Sequence, residues 1–329
     1  MFLSKRVLAR KVMHMLLFMI CGAAYSAPVA GAGSSFAAPL YRAWSDSLPP
    51  QAGLSLKYRT VGSGEGQKLV MAHKVDFGAS DIPLPGNVLD MQGLYQFPTA
   101  IGAIVVVINV PGVGADQMRL DGSTLVALFR GDITSWNDPR VRALNPDLRL
   151  PDLDVLPVHR EEASGTSQVF SDYLRTQSPS WKPGSWGEGA EARGNDGVAA
   201  SVRQSIGGIG FVEYAFARRN HLNTVKLKNH SGLFVTSETA AFKSSADSAD
   251  WQHTDHYAVS LLDAGGSKSW PIMSATFVLV PVHPSDQTTA SAVKAFFTYG
   301  LRHGDKALQD LDYIPLPNDV KNKILAEWP

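Results

Sequence analysis

Cysteine is almost absent from this chain: Cys21 is the only one in 329 residues. A single thiol cannot form an intramolecular disulfide, and it cannot by itself build a thiolate metal site. Bulky Met19 and Ile20 stand before it, where a lipid-attachment cysteine usually has small residues. We therefore expect a protein that folds without covalent cross-links and without a lipid anchor.

Long apolar runs are also missing, apart from one near the N-terminus. Four basic residues stand at its start: Lys5, Arg6, Arg10 and Lys11. Residues 12–24 are mostly apolar, and Ala24 and Ser26 occupy the positions that a signal peptidase reads. A membrane span needs about 20 apolar residues, and this run is shorter. We predict that residues 1–26 are a signal peptide cleaved after Ser26, and that the mature protein is periplasmic.

The chain carries little excess charge of either sign. It contains 30 basic and 30 acidic residues, and residues 1–26 contain four of the basic ones and none of the acidic ones. The mature chain would therefore have 26 basic and 30 acidic residues, with no basic runs. This balance argues against nucleic acid or an anionic membrane surface as a partner.

Strand and helix patterns alternate along the chain. Strands are predicted over residues 54–61, 75–80, 104–110 and 276–282, and helices over 39–47, 67–72, 164–174 and 290–301. A long surface loop is predicted over 178–196, which is rich in Pro, Gly, Ser and Trp. The alternation predicts a doubly wound α/β fold, in which ligands lie beyond the carboxyl ends of strands.

Three separate stretches place glycine and hydroxyl residues just before a predicted helix. They are residues 31–36, 62–66 and 160–167. A helix N-terminus offers unpaired N–H groups and a partial positive charge, and Ser and Thr add O–H donors. With Arg160 as the one full positive charge, the three stretches together would form a site for a compact oxyanion.

The same stretches, with others between and after them, resemble the phosphate-binding subunit of bacterial phosphate ABC transporters. The resemblance follows the family order through residues 31–40, 75–81, 96–99, 120–122, 133–137, 160–167, 194–197, 208–214 and 311–317. It implies a type II periplasmic-binding-protein fold of two lobes joined by two crossing hinge segments. Lobe 1 would comprise residues 27–104 and 273–329, and lobe 2 residues 105–272.

The resemblance also implies a set of phosphate ligands. These are Ser35, Phe36, Ser63, Asp81, Arg160, Ser164, Gly165 and Thr166, with Glu162 pairing with and orienting Arg160. Asp81 would accept a proton from phosphate, which sulfate does not carry. One departure from the family pattern is Glu65, whose charge would repel an anion if it faced the cleft.

Plainer structural roles exist for several of these residues. Ser34 and Ser35 could simply cap the helix that follows, Asp81 could be a turn carboxylate beside Pro83, and Arg160 and Glu162 could form a surface ion pair. The ordered set favours the binding interpretation.

The expected function is capture of inorganic phosphate in the periplasm and delivery to a membrane ABC transporter permease complex, by a receptor that is monomeric. Two alternatives are a secreted phosphohydrolase on the same scaffold and a receptor for another oxyanion. Hydrolysis would need a nucleophile with a base, or a metal cluster. Neither is evident in the sequence, so we expect no catalytic residues, no metal and no cofactor, and no nucleic acid partner.

Overall fold

The computed structural model of the protein describes residues 27–251 and 253–329. The strands are β1 (Ala27–Gly33), β2 (Leu54–Thr60), β3 (Phe77–Ser80), β4 (Leu94–Ile108), β5 (Arg119–Leu120), β6 (Leu156–Arg160), β7 (Ala190–Ala192), β8 (Gly208–Glu213), β9 (Asn223–Thr224), β10 (Lys226–Lys228), β11 (Phe234–Val235) and β12 (Met273–Pro281). The predicted signal peptide lies outside the described residues.

The helices alternate with these strands. They are α1 (Ala38–Asp46), α2 (Ser63–Met71), α3 (Gly86–Gln92), α4 (Gly122–Arg130), α5 (Pro139–Leu144), α6 (Gly165–Gln177), α7 (Gly194–Gln204), α8 (Tyr214–Arg219), α9 (Thr239–Ala246), α10 (Gln287–His303), α11 (Asp305–Asp310) and α12 (Asn318–Glu327). Within the described ranges, no helix has the length and apolar character needed to cross a membrane.

One mixed sheet organises the fold, in the order β2-β1-β3-β12-β4-β8-β6-β7, with β9 also paired to β4. β1 is parallel to β2 and β3, whereas β12 is antiparallel to both β3 and β4. β4 is long enough to serve two neighbours: Leu94–Ala103 pairs with β12 and Ile104–Ile108 pairs with β8. This strand therefore connects the two ends of the sheet.

Aromatic side chains fill the core on each side of β4. Around β1 and β3, Phe297 contacts Tyr41, Phe77 and Phe97 at ring-centroid distances of 5.5, 4.9 and 5.7 Å. Around β8, Phe211 contacts Phe129, Phe170 and Trp186 at 5.7, 4.3 and 5.6 Å. Each such ring buries a large apolar area, so both parts of the sheet are stabilised by aromatic packing.

The α/β class predicted from the sequence is confirmed, and most predicted elements are present. The strand predicted over 104–110 is the end of the much longer β4, whose first half contains buried polar residues such as Gln96 and Thr99. The helix predicted over 67–72 begins earlier, at Ser63. Its first turn holds Gly66, where a Cβ would lie 2.4 Å from Gly33 Cα, so the glycine lets helix and strand backbones touch.

The surface loop predicted over 178–196 is wrong in two respects. It contains β7, which pairs in parallel with β6, and the start of α7 at Gly194. It is also anchored, because Trp181 is 1% exposed and its Nε1 donates to Ser171 Oγ at 2.8 Å. The Gly- and Pro-rich composition concealed a three-residue edge strand, which has no periodicity to detect.

Candidate anion-binding site

Asp81 lies where β1 and β3 end side by side. Gly33 pairs with Ala79, and the Ser34 N–H donates to the Ala79 carbonyl at 2.9 Å, so the chain turns out of β1 directly beside the end of β3. The Ser34 hydroxyl then lies 2.6 and 2.7 Å from the two carboxylate oxygens of Asp81. Asp81 itself is 2% exposed.

Ser63 also forms hydrogen bonds with Asp81. It is the first residue of α2, preceded by Gly62 at a φ of 89°, a left-handed conformation that suits glycine. Ser63 Oγ accepts a hydrogen bond from the Asp81 N–H at 3.2 Å and lies 3.4 Å from Asp81 Oδ2. We call Ser34, Ser63 and Asp81 the acceptor side of the site.

Burial raises the pKa of Asp81 to about 6, because a charged carboxylate is poorly solvated there. Hydrogen bonds from Ser34 and Ser63 and the positive charge of Arg160 limit the rise. Asp81 is therefore ionised at neutral pH but binds a proton far more readily than an exposed aspartate. Such a carboxylate can share a proton with a ligand that brings one.

Arg160 ends β6 with its side chain 2% exposed, and its positive charge acts on the carboxyl of Asp81. Its Nε donates to Glu162 Oε1 at 2.9 Å, and its Nη2 contacts the same oxygen. Burial alone would raise the pKa of Glu162, but the hydrogen bond and charge of Arg160 lower it, so the pair is ionic. The Gly194 N–H also donates to Glu162 Oε1, at 3.1 Å.

Polar atoms remain without partners on this side. Arg160 Nη1, Thr166 Oγ1 and Ser167 Oγ are buried, and no hydrogen-bond partner for them is found within the described part of the chain. Thr166 lies in the first turn of α6, which Ser164 caps by accepting a hydrogen bond from the Ser167 N–H at 3.2 Å. We call Arg160, Glu162, Thr166 and Ser167 the donor side. Buried donors of this kind are costly unless a ligand or water satisfies them.

Gly165 brings the two sides into contact. A Cβ at this position would lie 2.4 Å from Ser63 Oγ and 2.9 Å from Asp81 Cβ, so only glycine fits. Nearby, the Gly64 N–H donates to the Ala163 carbonyl at 3.1 Å. The N-termini of α2 and α6 thus point toward the same small volume, and both add partial positive charge there.

A cavity of about 490 Å³ opens beside this contact, with Arg160, Ser164 and Gly165 among its lining residues. Asp81 and Thr166 are not among its lining residues and are 2% and 1% exposed. Glu65, the departure from the family pattern, has a side chain that is 49% exposed and lies 4.0 Å from Lys68. Its charge is directed to solvent and not to the site.

Ser35 and Phe36 are held next to the acceptor side. The N–H of Phe36, a member of the predicted ligand set, donates to Ser34 Oγ at 3.0 Å in this structure. The Phe36 ring is buried against Tyr313, with ring centroids 5.6 Å apart. Ser35 Oγ accepts hydrogen bonds from Asn195.

Every residue in the predicted ligand set thus lies at or next to the junction of the two sides. Sequence reasoning missed two residues that belong to it, Ser34 and Asn195. Ser34 belongs to the predicted stretch 31–36 but not to the predicted ligand set, and the alternative role of helix cap does not apply, because α1 shows no side-chain cap. Asn195 stood in the stretch 194–197, where nothing indicated contact with Ser35, which is 160 positions away. Among the described residues, no cluster of three or more His, Cys, Asp or Glu side chains could hold a metal ion.

Comparison with known proteins identifies the family. A PBP superfamily domain matches residues 22–302. The phosphate-binding protein PstS of Haemophilus influenzae is 39% identical and aligns over 91% of this chain and 92% of its own length. PstS of Xylella fastidiosa is 36% identical over 92% of this chain and 85% of its own.

Solved structures share the fold. A phosphate-binding protein from Stenotrophomonas maltophilia superimposes with a TM-score of 0.70 at 21% identity, covering 91% of this chain and 93% of that one. A periplasmic phosphate-binding protein solved with bound phosphate gives a TM-score of 0.73 at 19% identity, with the same coverage. The fold is therefore that of the periplasmic binding proteins. The chain belongs to the PBP superfamily and, within it, to the family of the PstS phosphate-binding proteins.

Proposed function

We propose that this protein captures inorganic phosphate in the periplasm and delivers it to an ABC-type import permease. The observation that carries the proposal is that one buried site contains both hydrogen-bond donors without acceptors and a carboxylate able to accept a proton. Within the described residues, Arg160 Nη1 and the Thr166 hydroxyl have no acceptor, and Asp81, whose pKa the charge of Arg160 lowers, is an acceptor with a pKa of about 6. A protonated tetrahedral oxyanion meets both needs, because its bare oxygens accept and its hydroxyl donates.

The donor side would bind the charged oxygens of phosphate. A guanidinium offers parallel N–H groups that match an oxyanion, and here Nε and Nη2 are held by Glu162 while Nη1 remains available. Thr166 and the N-terminal N–H groups of α6 add further donors. Glu162 would hold the Arg160 side chain in its orientation when no ligand is bound.

Asp81 would select phosphate over sulfate. Near neutral pH phosphate carries at least one proton and can donate it to the carboxylate, whereas sulfate would place a bare negative charge against it. Each carboxylate oxygen keeps acceptor capacity beside the bond from Ser34. A receptor for sulfate or a similar unprotonated oxyanion is therefore disfavoured, and the two PstS relatives described above, which are named as binding proteins, give no support to a phosphohydrolase.

We further propose that the ligand closes two lobes around itself. In the lobe assignment 27–104 plus 273–329 and 105–272, Ser35, Ser63 and Asp81 belong to one lobe and Arg160 and Thr166 to the other. Only a closed form lets one anion touch both, so phosphate should shift the population toward it. Small-angle scattering should then show a smaller radius of gyration with saturating phosphate, and an unchanged radius would contradict closure.

Export and the oligomeric state complete the proposal. Removal of residues 1–26 would leave a chain that starts with Ala27, the first residue of β1, which pairs with Leu54. N-terminal sequencing of periplasmic protein tests this cleavage site. We also propose that the receptor acts as a monomer and binds no nucleic acid.

The decisive test is calorimetric titration of ligand-stripped protein with phosphate, arsenate and sulfate. Phosphate and arsenate should bind and sulfate should not. In Asp81→Asn, whose amide can donate as well as accept, the gap between phosphate and sulfate should narrow. Comparable binding of sulfate and phosphate by the unaltered protein would show that the role given to Asp81 is wrong, and no phosphate binding at all would overturn the proposed function.

A further inference from the structure

Asn195 is a fully buried amide that connects the ends of two distant segments. It lies in the first turn of α7 and is 0% exposed. Its Oδ1 accepts a hydrogen bond from the Glu213 N–H at 3.0 Å, at the end of β8. Its Nδ2 lies 3.0 Å from Ser35 Oγ. Both the oxygen and the nitrogen of this side chain therefore have hydrogen-bond partners, as a buried amide requires.

The orientation of this amide is fixed by chemistry. The Glu213 N–H can only donate, so the group facing it must be the amide oxygen. Turning the amide over would place its NH₂ group against that N–H and leave a buried donor unsatisfied. Nδ2 therefore faces Ser35 and can only donate to it.

Ser35 Oγ receives a second donor as well. The backbone N–H of Asn195 lies 3.3 Å from the same oxygen. A hydroxyl has two lone pairs and one proton, and both lone pairs are now used. The proton of Ser35 has to point elsewhere, and the described residues supply no acceptor for it among the hydrogen bonds of the structure.

We propose that Asn195 is a positioning residue that makes Ser35 a dedicated donor to the bound anion. The inference rests on the proposed function, since Ser35 is in the predicted ligand set. By occupying both lone pairs, Asn195 prevents the Ser35 hydroxyl from acting as an acceptor and turning its proton away from the ligand. An oxyanion would find this donor already oriented, which reduces the entropy lost on binding.

The proposal is tested by a double-mutant cycle on phosphate affinity. The four proteins are the unaltered chain, Ser35→Ala, Asn195→Ala and the double variant, each titrated with phosphate by calorimetry. Ser35→Ala should weaken binding about tenfold or more, since hydrogen bonds to charged groups are strong. Asn195→Ala should weaken it about threefold to tenfold, and it should have almost no further effect when Ser35 is already Ala.

A second variant covers the case in which Asn195→Ala does not fold. Asn195→Asp has nearly the same shape and keeps an oxygen facing the Glu213 N–H, but it puts an acceptor where Nδ2 was. The Ser35 proton would then turn to the new carboxylate. The loss in affinity should therefore be larger than in Asn195→Ala and should shrink when Ser35 is Ala.

Controls separate the possible failures. Asn109→Ala removes an amide that donates to the Arg203 carbonyl at 3.0 Å, outside the site, and should leave phosphate affinity unchanged. If the unaltered protein binds phosphate but the effects of Ser35→Ala and Asn195 substitution simply add, Asn195 has no positioning role and the proposed function stands. If the unaltered protein does not bind phosphate, the proposed function itself fails.

Discussion

The two sides of the candidate site differ in whether their hydrogen-bonding groups already have partners within the protein. On the acceptor side, Asp81 is already bonded to Ser34 and Ser63. On the donor side, Arg160 Nη1 and Thr166 Oγ1 are buried without partners in the described chain. The acceptor side is thus already hydrogen-bonded as folded and keeps capacity for one proton from a ligand, whereas these donor-side atoms gain partners only with a ligand. We infer that affinity depends mainly on the donor side and selectivity on the acceptor side.

Removing the charge of the donor side should have the largest effect. Arg160→Ala leaves both the anion and Glu162 without their cation, at a cost of about 2–5 kcal/mol in binding free energy. Calorimetry should show phosphate affinity reduced by well over tenfold. Arg175→Ala, at an exposed arginine paired with Asp172 on α6, is the matched control and should change nothing. Unchanged affinity in a folded Arg160→Ala protein would remove Arg160 from the site.

Removing the charge of Asp81 on the acceptor side should change the free energy of unfolding and its dependence on pH. The pKa of Asp81 is raised to about 6 in the folded protein. Between about pH 4 and 6 the folded protein therefore keeps this proton, whereas the unfolded chain has released it. Stability from this group is therefore present at low pH and lost as pH rises through 6. Asp81→Asn should gain up to about 3 kcal/mol in unfolding free energy at pH 8 without phosphate.

Urea denaturation at pH 8 and pH 4 measures this difference. The gain should largely disappear near pH 4, where Asp81 is protonated in the folded protein and partly protonated in the unfolded chain. Asp90→Asn, at an exposed position of α3, serves as the control and should stay within about 0.5 kcal/mol at both pH values. An equal gain at both values would mean that the raised pKa is not its cause.

A single neutral donor should matter less than the guanidinium. Thr166→Val keeps the shape of the side chain and removes one O–H group, which would weaken phosphate binding by about 1.5 kcal/mol, or roughly tenfold. Without ligand, the same change removes a buried hydroxyl that has no partner among the described residues, and it should stabilise the fold slightly. Loss of stability without loss of affinity would contradict the view that Thr166 awaits a ligand.

Glu65 should have the smallest effect of all. Its side chain is exposed beside Lys68, so Glu65→Gln removes a solvated charge only. Phosphate affinity at physiological ionic strength should change less than twofold, because such charges are screened within about 8 Å. A strong gain in affinity would show that this carboxylate faces the anion in solution.

The parts of the site that sequence could predict are those whose chemistry is local. Arg160, Ser164 and Thr166 share one stretch at the start of a helix, whereas the role of Asp81 is implied only by the family resemblance. The class of fold followed from alternating strand and helix patterns in the same way. Such signals need only a few neighbouring residues to be recognised.

The parts that could not be predicted depend on contacts between distant segments. Asn195 meets Ser35 only because β8 and β1 end near each other in space, and Ser34 turns to Asp81 only because β1 pairs with β3. β1 itself consists largely of Ala and Gly, which give no periodic pattern, and β7 is too short to show one. Tertiary pairing, and not local propensity, decides these elements.

The position of β12 has a consequence for how the chain folds. β12 lies between β3 and β4 although about 165 residues separate it from β4. The sheet that carries Asp81 therefore stays split until residues 273–281 are available, late in synthesis. Pairings so distant in sequence form slowly, because a long loop must close before they stabilise anything. In a chain that is proposed to be exported, the first hundred residues therefore cannot complete this sheet by themselves.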